Sequence, residues 1–564
     1  MPGRLVITVV AWLTAGGTVT AKTSMAQRSV ELEAAIKKID MQLYRQNEAD
    51  IRAWLDARIA ATEGFGVYPF TGRYVGIDGD RATVDLNRGI LADTAAQILR
   101  AYEMLGDKKY LEAGLKTADF FLEVQQPAGN FPSGATILRG DKATAGGGKH
   151  PPRIARMEDG YQFRPFALLL YAYKLTREKK YLDGARRCGE MVTQHMQHPE
   201  WGWCPDVFDT RKKDPYADGR SHHGSFGVEG GGSYSDFATT DGFRMSIIMY
   251  HLTKDKKYLT RSAKLGNWIF ATQLGESKVR GWGDNYDANN NPVGARSFEG
   301  TQIDPRNFCR FVGPQLAWLY AMTGEQKYRR LFEETYVWMR SVEQPEGWAA
   351  EYTVEGKPCA TLNHKLFLYE EPEKWPADAE PGYSRGKVQL RDSETICHML
   401  QEGGRDALRR WHRGPVKYSD KQYLEARLAA AKRCTDESFV MRLERLDEEP
   451  HSDYLPQNAP TKYLARVRLR LAAPGSPNLP IEARVWRRTG LFRQAWLHAY
   501  HPALGHASWQ YVWDVRLALG KIDPDTAAVG GRGLEVMYFP LWDVMGDWAV
   551  RCIETEDWMD VPMP

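Results

Sequence analysis

A fourfold repeat governs what this chain can fold into. Each copy carries an apolar helical stretch, a turn reading Gly-Asp-Lys-Lys-Tyr-Leu or a variant, a second helical stretch ending near Gln, and a loop of Gly and aromatic residues. The turn tyrosines Tyr110, Tyr181, Tyr258 and Tyr328 stand 71, 77 and 70 residues apart, so one supersecondary unit is used four times. The first stretches (TAAQILRAYEML, FRPFALLLYAYKL, FRMSIIMYHL, PQLAWLYAM) are apolar nearly all round, which requires burial on every side. The second stretches, such as YLEAGLKTADFFLEVQ, are amphipathic and belong outside.

Inner apolar helices alternating with outer amphipathic ones predict an all-α chain closed into an α/α toroid, with long loops at one end of the helix pairs. An open solenoid competes, but about 70 residues per helix pair is long for solenoid repeats. The excess lies in loops, and function is expected at that end. The repeat core spans residues 27–360. Residues 361–564 form a C-terminal part expected to complete the toroid, with a Pro- and charge-rich excursion at 363–392 and helical patterns at 393–438 and 490–520. The run at 461–473 alternates enough to be a strand or a short helix.

Residues 1–26 read as a signal peptide: Arg4, an apolar run from Leu5 to Leu13, then small residues ending in Val19-Thr20-Ala21 or Ser24-Met25-Ala26. The expected location is secreted or periplasmic, with no membrane association after cleavage. Loss of Arg4 and Lys22 takes the formal charge from +3 to +1, leaving no global field for nucleic acid. An anionic ligand must therefore be held by a local patch. The seven cysteines are scattered, without metal-site spacing, and most read as buried thiols. Eighteen Trp and 27 Tyr suit either a large aromatic core or a cleft that stacks sugar rings.

Acidic residues precede or open the inner helices: Asp93, Asp159, Asp241 and Asp304. Helix capping explains any one of them. On a toroid, one set of inner termini faces a shared cavity, so these carboxylates can also converge as acid, base or metal ligands. Two long loops carry cations and Gly triplets. The first includes Arg139, Lys149 and Arg153; the second includes Arg211 to Lys213 and the pair His222-His223. They read as solvated loop charge or as a cation-lined cleft for an acidic polymer.

The densest loop is Gly281 to Glu299, GWGDNYDANNNPVGARSFE. Asp287, Asn289 and Asn291 alternate like an EF-hand, but Pro292 and Phe298 stand where Gly and Glu are needed. Trp282, Asp287, Pro292, Ala295, Arg296, Phe298 and Glu299 follow an order that resembles the pectic acid lyases with an α/α toroid. Their loop reads roughly W-x-x-Q-x-D, a short turn, then P-x-x-A-R-A-F-E, and GNFPSG at 129–134 also fits the family.

The resemblance implies β-elimination in a uronic-acid polymer, which needs a base for the C5 proton and positive charge, often calcium, on the adjacent carboxylate. Arg296, Asp241 and Asp159 are the expected catalytic residues, with Asp241 also a candidate metal ligand. Trp282, Tyr286 and Trp203 are expected to stack the sugar, and Arg139, Lys149 and Arg153 to bind the acidic chain. Arg296 can equally pair with Glu299 to hold a hairpin. Two other readings remain: a glycoside hydrolase using paired carboxylates such as Asp159 and Asp241, and a non-catalytic carbohydrate-binding protein.

Overall fold

In a computed structural model of the chain, the described residues are most of 75–343 and 348–362. Shorter pieces lie at 52–65, 365–368 and 393–409, with four strands between 440 and 498, and residues 559–564. The expected signal segment, Asp93, His222, His223, Arg296, Glu299, Cys434 and Cys552 lie outside the described residues.

Helical hairpins dominate. Helical residues between 91 and 102 precede α1 (Lys108–Val124); α2 (Phe163–Thr176) pairs with α3 (Lys179–Glu190), which a π-turn, Met191–Met196, prolongs. Then α4 (Ala238–Thr253) is followed by α5 (Lys257–Ser262) and α6 (Leu265–Ala271). The last pair is α7 (Gly313–Thr323), entered through a π-turn at Phe308–Val312, and α8 (Gln326–Ser341).

The expected inner helices are the buried ones. Each residue of α2 from Phe163 to Ala172, of α4 from Ala238 to Met249 and of α7 from Gly313 to Met322 is buried. In α1 burial follows one stripe, through Tyr110, Gly114, Thr117, Phe121 and Val124, as an outer helix requires. Inner helices meet directly: Gln315 of α7 donates to Thr240 of α4 at 2.6 Å, and Phe243 stacks on Trp318 at 6.2 Å. One continuous apolar core runs from Val84 to Val561.

The repeated turn has a physical basis. Thr176, Thr253 and Thr323 donate their hydroxyls to the carbonyls four residues back, at 2.8, 2.8 and 2.7 Å. The same hydroxyls accept the N–H of Glu178, Asp255 and Glu325, each at 3.1 Å. Between them sits a left-handed residue, Arg177, Lys254 or Gly324, and this cap stops the inner helix.

The repeat tyrosine then reaches back to an acid before it. Tyr110 donates to Asp56 at 3.2 Å, Tyr181 to Asp119 at 2.9 Å and Tyr258 to Glu190 at 2.8 Å. The preceding lysines (Lys109, Lys180, Lys257, Lys327) lie 4.7 to 4.9 Å from the ring centroids in all four copies. The Lys-Tyr element is thus a joint between consecutive hairpins.

Strands line the loops. Sheet order is β1 (Val75–Asp78), β2 (Arg81–Asp85), β3 (Gly134–Leu138) and β4 (Thr144–Ala145). β5 (Ile154–Arg156) pairs with β6 (Val207–Asp209), and β7 (Asn285–Tyr286) with β8 (Pro292–Val293). β9 (Glu351–Tyr352) pairs with β10 (Pro358–Leu362), which pairs with β11 (Lys365–Leu368).

Farther on, β12 (Val440–Glu449), β13 (Thr461–Ala472), β14 (Leu479–Arg488) and β15 (Gln494–His498) form an antiparallel meander. This corrects the expectation of a helix at the start of 490–520 and resolves 461–473 as a strand. The alternation of Arg466, Arg468 and Arg470 with Val467, Leu469 and Leu471 has the period of two that suits a strand. The helical class therefore describes the hairpins, with this sheet added after them. Cys188, Cys204, Cys309 and Cys359 are buried free thiols, as expected. Among the described residues no helix is long and apolar enough to cross a membrane.

Candidate active site at the entrances of the inner helices

Asp241 is the fourth residue of α4, and it does not cap the helix. The cap position is Phe237, in a left-handed conformation with no side-chain bond to the helix. The Asp241 carboxylate instead faces Arg244 one turn on, at 3.5 Å, both groups being nearly inaccessible at 3% and 2%. The Arg244 guanidinium lies 5.8 Å from the Phe163 ring and 5.1 Å from the Trp318 ring. Those rings belong to α2 and α7, so the guanidinium stands among three inner helices.

Burial pushes the Asp241 carboxyl up to about 7. The Asp159 carboxylate pushes in the same direction, while Arg244 and Arg164 oppose it. The turn that carries Asp159 packs against α4, so two of the expected catalytic residues lie in one part of the fold, with buried Arg164 and Arg244 beside them. Arg164 and Arg244 were not singled out in the sequence. The signal was present in the parallel runs Asp159-Gly160-Tyr161 to Phe163-Arg164 and Asp241-Gly242-Phe243-Arg244.

Asp159 sits at φ 52, ψ 19, in the turn Glu158–Gly160. Holding a non-glycine residue there costs on the order of 1 kcal/mol. The turn is fixed by buried polar partners. Arg156 pairs with Glu158 and donates to the Tyr161 hydroxyl at 3.0 Å, and the Glu158 amide donates to Asp206 at 3.0 Å.

A second buried polar cluster lies at the start of the fourth inner segment. Asp304 caps it as expected, accepting the Arg306 amide at 2.7 Å. The Arg306 guanidinium bridges Asp304 at 2.6 Å and Asp284 at 3.1 Å, and Asn307 donates to Asp284 at 3.0 Å. Glu351, 2% exposed, accepts the Gly300 amide at 2.8 Å. Burial holds its carboxyl well above the carboxylate range, and Asp304 and Asp284 add to that effect. Asp284 and Glu351 were missed in the sequence, although each lies two or three residues after the loop tryptophan of its repeat.

The aromatic candidates are corrected. Trp282, Tyr286 and Trp203 are at most 2% exposed and offer no open face to a sugar. Trp282 donates to the Ile269 carbonyl at 2.8 Å, and the Tyr286 hydroxyl joins the Gly283 amide (2.8 Å) to the Thr272 carbonyl (2.9 Å). In the next repeat Trp348 does the same to Met339 at 2.8 Å, and Tyr352 joins Ala349 (3.0 Å) to Val342 (3.3 Å). The W-x-x-x-Y pair thus satisfies carbonyls left open where the outer helix ends. Trp203 packs against His198 and Trp268.

The cationic candidates are exposed. Arg139 pairs with Asp80 and Arg153 with Asp209, each at 3.1 Å, and Lys149 is exposed on its loop. Surface pairs of this kind contribute little to stability. Arg296 lies outside the described residues. Among the described residues no group of three or more His, Cys, Asp or Glu side chains that could hold a metal ion is found.

No family model matches the chain, and no curated protein matches it. Among solved structures, a family 10 polysaccharide lyase from Cellvibrio cellulosa bound to trigalaturonic acid aligns at TM-score 0.36 and 14% identity, over 56% of this chain and 98% of that one. Rex8A from Paenibacillus barcinonensis, complexed with xylose, aligns at 0.34 and 10%, over 66% and 90%. An α-1,6-mannanase of Salegentibacter sp., bound to α-1,6-mannotetrose, aligns at 0.33 and 14%, over 70% and 89%. At TM-scores this low the likeness carries no argument about fold or chemistry.

Proposed function

We propose that this chain is an exported carbohydrate-active enzyme on an α/α toroid, cleaving a uronic-acid polymer by β-elimination. The observation that supports it is Asp241: a carboxyl poised near neutrality beside two buried arginines, Arg164 and Arg244, and a second acid, Asp159. A base near pH 7 is suited to abstract a carbon-bound proton next to a carboxylate. In this reading Asp241 takes the C5 proton, the C4–O bond breaks as the C4=C5 bond forms, and the departing oxygen is protonated from water. Arg164 and Arg244, buried with Asp241, hold positive charge around its carboxylate. Arg296, on the strength of the lyase-like motif, neutralises the uronate carboxylate and so stabilises charge that develops at C5, and no step is assigned to calcium. Export rests on the apolar run Leu5 to Leu13 and the small residues after it.

A second reading, a glycoside hydrolase, is favoured by the mutual effect of Asp159 and Asp241, since acid and base roles divide between carboxyls whose environments separate them. Incubation with pectate, alginate and glycosaminoglycans distinguishes the two. Ultraviolet absorbance of unsaturated uronates, lost in Asp241→Asn, supports elimination. New reducing ends without absorbance favour hydrolysis, and silence on every polymer removes the elimination reading.

A further inference from the structure

Asp159 and Gly160 are successive left-handed residues, φ 52 and 76. Such a turn does not persist by itself at a non-glycine position; its flanks must be tied. The ties converge on Asp206, which is 3% exposed and sits just before β6. Its side-chain Oδ1 accepts the Glu158 N–H at 3.0 Å, and its own carbonyl accepts the Met157 N–H at 2.7 Å. Its N–H donates to the Arg220 carbonyl at 2.8 Å, anchoring it from the other side. The two amides immediately before Asp159 are therefore both held by one residue of another loop.

We infer that Asp206 is a positioning residue: its carboxylate fixes the Glu158 amide so that the strained turn presents the Asp159 carboxylate to Asp241. This rests on the reading of Asp159 and Asp241 as the working pair. The charged groups that act on Asp241 are Asp159 from the turn, Arg164 from α2 and Arg244 from α4, and the Cys204 thiol lies within electrostatic range. Displacing Asp159 removes the one negative neighbour among them.

The test needs no substrate. The infrared carboxylic-acid band of Asp241, identified by its loss in Asp241→Asn, is followed across pH in the full chain. Asp159→Asn should move its midpoint to lower pH by about half a unit or more. Asp206→Ala should move it the same way, and the double variant no further than Asp159→Asn alone. Asp206→Asn keeps an oxygen acceptor for the Glu158 amide and should titrate like the wild type. If alanine does not fold, Asp206→Ser, too short to reach that amide, takes its place. A wild-type midpoint in Asp206→Ala or Ser overturns the inference while leaving the pair intact. A wild-type midpoint in Asp159→Asn overturns the pairing and the inference with it.

Discussion

At the scale of single residues, Asp241 and Glu351 are buried acids raised by the same cause and read out in different measurements. If Asp241 is the base, kcat/KM should climb about tenfold per pH unit below pH 7 and level off above it, because only the carboxylate accepts a proton. Asp241→Asn should lower kcat by about 10²-fold or more without loss of folding, since amide and neutral acid are alike in the same site. A falling alkaline limb centred on pH 7 would instead identify Asp241 as an acid and favour hydrolysis. Glu351 should appear in stability. Its folded pKa is raised, so above pH 4.5 the unfolded chain releases a proton that the folded chain keeps. Stability should therefore fall as pH rises, by up to about 1.4 kcal/mol per unit, until the folded group itself ionises. Asp241, also raised by burial, adds a slope of the same sign below pH 7, so Glu351→Gln should reduce but not abolish the slope in urea titrations run between pH 5 and 8, and an unchanged slope would assign the pH dependence to other groups.

At the scale of elements, hairpins and joints were legible in the sequence because they repeat. All-round apolarity marks α2, α4 and α7 as inner, and in three of the four Lys-Tyr turns the tyrosine bonds an acid before it. The π-turns at Met191–Met196 and Phe308–Val312 were not legible, being set by packing rather than by any local residue preference. The loop aromatics were misread for a related reason: a tryptophan aimed at a sugar and one aimed at a carbonyl look the same in sequence. The recurrence of Trp and Tyr at 282 and 286 and again at 348 and 352 marks the pair as part of the repeat, which leaves a structural role as open as a sugar-stacking one. Trp282→Phe should cost about 2 kcal/mol by urea denaturation, because it opens a void and strands the Ile269 carbonyl. Tyr181→Phe, which removes a bond to a partly exposed acid, should cost about 1 kcal/mol or less. An equal cost at both sites would mean that the aromatic pair adds nothing beyond a surface joint.

At the scale of the whole molecule, closure decides how the hairpins open. Part of the site was legible only as separate acids, because convergence of Asp159 on Asp241 depends on how neighbouring hairpins pack, and no local pattern encodes that. A closed ring and an open solenoid share the same hairpins but open differently. In a solenoid each repeat contacts only its neighbours, so hairpins near an end open at lower free energy than those in the middle. The single core from Val84 to Val561 and the packing of Arg405 onto the Ala321 and Met322 carbonyls, 2.6 Å each, suggest one cooperative unit. Three buried thiols report on it: Cys188 in α3, Cys204 in the loop before β6 and Cys309 before α7. Burial raises the Cys188 and Cys204 thiols, so native-state reaction requires opening. Labelling under conditions where reclosing outpaces the thiol reaction should give all three the free energy of global unfolding, with half-buried Cys397 reacting earlier. A graded order, one of the three opening well below the global value, would favour the solenoid. The inner-helix entrances would then line an open groove instead of a shared cavity.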